Sequence, residues 1–185
     1  MSRSALLEPA DTLLAWLSGA EGRALDEAEL LAGLGLRLGA AGLPVARLAA
    51  LRWTLHPGVL AAAKSWTPDR PIQIYDREHG FEPPAAFAVS RVHDALVMRG
   101  SLSLEGEALA LVAIEALRGT GLAEQFILPC AQADGPFRAV AFGTAQRGGF
   151  TAAERAVFER VAPALAARLC AVSRRKSAQA YQEQS

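Results

Sequence analysis

Arg52, Thr54 and His56 alternate with Trp53 and Leu55. In an extended chain they share one face, because strand side chains alternate with period two. A guanidinium, a hydroxyl and an imidazole on one face suit an anionic or hydrogen-bonding ligand. The same three residues also suit the solvent face of an edge strand, with His56 capping the turn at Pro57-Gly58. Trp53 falls on the opposite, apolar face and reads as core. Trp66 and His79 are further candidates. Trp66 offers either aromatic stacking or burial against a sheet, and His79 is either a ligand contact or a turn residue beside Gly80.

Other chemistry is hard to assemble from this chain. His56, His79 and His93 are its three histidines, and no spacing around them supports haem ligation. Cys130 and Cys170 form no CxxC pair and have no histidine nearby, which speaks against a zinc knuckle, a disulfide framework and bilin attachment. They read as small buried apolar residues in a reducing compartment. No Ser-His-Asp, HExxH, P-loop or dinucleotide glycine motif occurs. No catalytic residue, metal ligand or cofactor is therefore expected.

Composition narrows the partners. Lys plus Arg equals Asp plus Glu, 19 each, so no net charge draws the chain to nucleic acid or to an anionic membrane. Arg174, Arg175 and Lys176 form a local basic patch. Hydrophobic residues make up 51% of the 185, the mark of an ordered globular chain. No apolar run is long enough to span a bilayer. Glu8, Pro9 and Asp11 interrupt the N-terminus, which speaks against a signal peptide and for a cytoplasmic protein.

The elements that must position these residues follow from periodicity. Leu13, Leu14 and Leu17 mark a short helix over 9–19, broken by Gly19 and Gly22. Asp26 and Glu29 have capping-box spacing, with Leu25 and Leu30 placed for a hydrophobic staple. A helix over 26–41 follows, stopped at Gly42 and Pro44. Its internal Gly33 and Gly35 weaken it and permit close packing. Strands are predicted over 49–55, 60–66 and 71–75, a mixed region with helices over 88–98 and 107–117 around a strand at 101–104, then strands over 125–130 and 137–144. Asp134-Gly135 turns the last two into an antiparallel hairpin.

Thr151 and Glu154 repeat the capping-box spacing and open a long helix, in which Pro163 should produce a kink. Phe158, Val161, Leu165, Leu169 and Val172 form one stripe along it. That stripe packs on the chain's own sheet or pairs with the same helix of a second subunit, and part of it must cover the domain's own core. The polar end after Arg174 reads as a frayed or disordered tail. This order predicts an α+β fold, a central antiparallel sheet with helices gathered on one side. An N-terminal helical extension would occupy 1–24, the domain 25–173 and a polar tail 174–185.

Several phrases together carry a resemblance. Ala40-Ala41-Gly42-Leu43-Pro44 followed by Arg52-Trp53-Thr54-Leu55-His56-Pro57 resembles the "AAGLP…LRTLHP" run of the GAF-like N-terminal domains that precede bacterial class III adenylate cyclases. Trp66 and Glu78-His79-Gly80 come next in the same order. Phe126 to Pro129 is similar to that family's "YLALPL", Asp134-Gly135 to its "SDG" turn, and Gly148-Gly149-Phe150-Thr151 to its "GGFT" helix start. Phe142-Gly143-Thr144 and Ala162-Pro163-Ala164-Leu165 complete the series, which runs from about Leu30 to Leu169.

The resemblance implies a GAF-like fold with Arg52, Thr54, His56, Trp66 and His79 around a pocket. It also implies a sensor that binds a small molecule or protein partner and modulates a cyclase; the stripe from Phe158 to Val172 adds the expectation of a homodimer. The paired aspartates that bind metal in the cyclase catalytic domain have no counterpart here. The catalytic part is then expected in another chain or outside this one. Thiol enzymes of GAF type need several cysteines about the pocket, and Cys130 and Cys170 do not match them. A regulatory module and not an enzyme is therefore expected. The alternatives are a dimerisation module with a filled pocket and a small enzyme with an unrecognised site.

Overall fold

The computed structural model describes residues 7–53, 59–78, 100–106, 120–130 and 138–183. Three helices come first, α1 (Leu7–Ser18), α2 (Ala20–Ala24) and α3 (Glu27–Ala40). Three strands follow, β1 (Arg47–Trp53), β2 (Val59–Thr67) and β3 (Arg70–Glu78). After them come β4 (Leu102–Glu105), β5 (Glu124–Cys130), β6 (Arg138–Thr144) and a long helix, α4 (Ala152–Glu183). The helices expected over 88–98 and 107–117 lie outside the described residues, as does the Asp134-Gly135 turn. No helix among the described residues is long and apolar enough to cross a membrane.

Both helix starts follow their local chemistry. Asp26 accepts the Glu29 amide at 2.9 Å while the Glu29 carboxylate accepts the Asp26 amide at 2.8 Å. Thr151 and Glu154 repeat this reciprocal pair at the head of α4, at 3.3 and 2.7 Å. Each pair satisfies amides that a helix N-terminus leaves open. Gly19 breaks the first helix as expected, but Gly22 lies inside α2. There it is buried so close to the Trp16 carbonyl that a side chain would overlap it.

The six strands form one antiparallel sheet in the order β3-β2-β1-β6-β5-β4. Alternation gives the sheet two faces. Leu48, Trp66, Phe126, Leu128, Val140 and Phe142 point to α1, α3 and α4 and build the main core with them. Phe158 of α4 stacks on Phe142 with centroids 4.3 Å apart and meets Phe150 edge-on at 4.8 Å. Burying one such ring contributes about 1.5–3 kcal/mol. Ala10, Leu13 and Leu17 of α1 belong to the same core, so the helix expected as an extension packs into the domain.

The internal glycines of α3 admit two tryptophan rings. A Cβ at Gly35 would overlap the Trp66 ring, and one at Gly33 would stand 2.9 Å from Trp16 Cζ2. Pro163 sits within α4 without ending it. The polar tail is helical, since α4 continues to Glu183 with residues 174–183 exposed. Arg175 anchors the start of that stretch by donating to the Arg23 carbonyl at 3.0 Å.

Candidate ligand-binding sites

The sheet face away from the helices carries side chains of a different kind. Ala49, Ala139 and Ala141 are buried there beside Ile127 and Leu104, a second and smaller apolar cluster. Register places Ser65 opposite Ala49, and Gly143 between Arg47 and Gln125. Arg47, Ser65 and Gln125 are thus polar residues on one face, exposed by only 3%, 1% and 4%. Ser65 Oγ and Gln125 Oε1 have no hydrogen-bond partner among the described residues. An unmet buried polar group costs about 1–3 kcal/mol. A floor of alanines with hydroxyl and amide groups is what a small hydrogen-bonding molecule would need.

A cavity lies on the helix face, where β1, β2 and β6 approach α3 and α4. It encloses about 360 Å³, and Arg52, Lys64, Arg138 and Glu27 are among the residues that line it. Lys64 pairs with Glu27, and Ser173 of α4 donates to Glu27 Oε1 at 2.8 Å. Arg138 Nη2 reaches Ser173 Oγ at 3.5 Å, leaving Arg138 Nε buried without a partner among the described residues. Burial alone would raise the Glu27 pKa. The Lys64 and Ser173 hydrogen bonds and the charges of Lys64 and Lys176 outweigh it and hold Glu27 below the ordinary glutamate value.

Of the residues singled out from sequence, Arg52 lines this cavity, on the face opposite the buried Ser65 and Gln125. The Trp66 ring is buried in the main core against Gly35, the burial that the sequence also allowed. Thr54, His56 and His79 lie outside the described residues. Phe158, Val161, Leu165, Leu169 and Val172 are exposed by 0–3% within the single chain. The stripe therefore covers its own domain's core, one of the two roles that its spacing allowed.

Sequence reasoning missed Arg47, Ser65 and Gln125. Strand alternation carried the available signal, since Arg47 continues the Ala49-Leu51 face and Ser65 alternates with Lys64 and Trp66. Cys130 lies on the helix face, and burial pushes its thiol up to about 11. No group of three or more His, Cys, Asp or Glu side chains gathers at metal-binding distance among the described residues.

No protein-family model and no curated protein matches the chain. Solved structures do match its fold. It is similar to the GAF domain of a phosphoenolpyruvate-protein phosphotransferase from Coxiella burnetii, at 11% identity and TM-score 0.65, over 96% of this chain and 99% of that one. The phycocyanobilin-bound GAF domain of a cyanobacterial phytochrome matches at 9% identity and TM-score 0.60, over 88% and 94%. Free methionine-R-sulfoxide reductase from Neisseria meningitidis, in complex with its substrate, matches at 12% identity and TM-score 0.60, over 94% and 95%. That last likeness overturns the expectation that the chain is not an enzyme, because an enzyme shares this fold. At these identities the comparisons show architecture, and the architecture is the GAF fold.

Proposed function

We propose that this chain is a regulatory domain that binds a small molecule and passes the event to a signalling output. The single observation that carries the reading is two buried groups without a partner among the described residues, Ser65 Oγ and Gln125 Oε1, on the same face as Arg47 and a floor of alanines. Two of the similar structures hold small molecules, a bilin in the phytochrome domain and substrate in the reductase. A nucleotide cyclase as output, and a cytoplasmic setting, rest on the sequence resemblance and composition. Self-association would need a surface other than the buried stripe, such as the exposed turns of α4 over 174–183.

Native mass spectrometry of the purified protein tests this reading, since it reports subunit count and any retained small molecule together. The expected result is a bound organic molecule that disappears in Ser65→Val and Gln125→Leu. A protein that carries nothing, and whose melting temperature no member of a metabolite panel raises, would end the proposal.

A further inference from the structure

We propose that Arg52 and Arg138 form a second binding site, for the phosphate group of a small phosphate monoester, in the cavity between the sheet and α3. The site lies on the face of the sheet opposite Ser65 and Gln125. It therefore stands apart from the ligand reading above.

The two arginines are direct cross-strand partners in the β1–β6 register. Side chains so placed have Cβ atoms about 4.5–5.5 Å apart, and like charges there repel. Lys64 adds a third cation to the wall, but Glu27 is paired with it. The Arg52 side chain makes no ion pair and no hydrogen bond among the described residues. Arg138 reaches only the neutral Ser173 hydroxyl, and its Nε is buried and unmatched among the described residues. Among the described residues that line the cavity, three cations face one carboxylate.

A phosphate monoester carries a charge of about −1.5 to −2 at neutral pH and offers three acceptor oxygens. Two guanidinium forks match that geometry better than ammonium groups do. The volume of about 360 Å³ leaves room for a small organic group on the ester oxygen. Glu27 excludes a ligand from Lys64 and thereby directs it to the arginine pair.

Isothermal titration with glycerol 3-phosphate, inorganic phosphate and succinate tests the assignment. The ester is expected to saturate with a dissociation constant of about 1 mM or below and to bind more tightly than succinate. Arg52→Ala and Arg138→Gln should each weaken it about tenfold or more, the loss of a charge-assisted hydrogen bond. Arg52→Lys should restore part of the affinity. Arg52 is exposed, so its variants keep the test valid if Arg138→Gln fails to fold. Ser65→Val should leave ester binding unchanged, which separates this site from the one on the other face. Absence of saturable ester binding, equal binding to Arg52→Ala, or preference for succinate would overturn the proposal.

Discussion

Glu124 Oε2 accepts the backbone amide of Phe150 at 2.6 Å, joining the first residue of β5 to the segment that starts α4. The carboxylate is fully buried, and its other oxygen accepts Arg155 Nη2 at 2.8 Å and the Ser103 hydroxyl. One side chain therefore ties β4, β5 and α4 together. Gly149 passes directly over the carboxylate with φ +70°, where a Cβ would overlap Glu124. The glycine pair before the helix is thus required twice at Gly149, for dihedral and for space.

Glu124→Gln should destabilise the fold by about 3 kcal/mol, because it leaves Arg155 without its buried partner. Gly149→Ala should lose about 2 kcal/mol. Gly148→Ala, where φ is +90° but no atom lies within 4 Å, should lose less. Urea unfolding of the three variants checks that order.

Gly35 and Gly39 are both helical and should respond in opposite directions. Gly35→Ala forces the Trp66 ring away and should destabilise by about 1–3 kcal/mol. Gly39 has nothing within 4 Å of a new Cβ, so Gly39→Ala should stabilise by up to about 1 kcal/mol. Thermal melts of both variants decide it.

Phe158→Ala removes a ring stacked on Phe142 and should cost about 3–5 kcal/mol. The loss should be the same at low and high protein concentration, since the ring is buried within one chain. A variant that melts like wild type but shifts from dimer to monomer on a sizing column would contradict this placement.

Burial keeps the Cys130 thiol protonated well past its ordinary range, up to about 11 against 9.0. The folded state then holds this proton while the unfolded chain releases it. Stability from this group is full below pH 9 and falls as pH rises through about 11. Cys130→Ala should flatten that decline in urea melts recorded from pH 8 to pH 11. A disulfide reagent at pH 8 should label the half-buried Cys170 first and reach Cys130 only on unfolding.

Much of the local architecture was legible in the amino-acid order. The Asp26/Glu29 and Thr151/Glu154 boxes start α3 and α4 where spacing placed them, because capping needs only residues three apart. Alternation located β1 and β3, and apolar runs between turn residues located the other described strands, each to within a few residues. The fold class followed from that order of elements.

The sites were less legible, because they depend on which strands become neighbours. Arg52 meets Arg138 only because β1 pairs with β6, a contact between distant segments that no local pattern encodes. Which sheet face the helices cover decided that Trp66 joined the core while Ser65, one residue earlier, was buried on the other side. The stripe on α4 had the spacing of an interface and of a core alike, and the sheet's apolar face claimed it. Sequence by itself determined the elements and their faces. Tertiary structure alone decided what each face meets, because burial is settled by long-range pairing and not by periodicity.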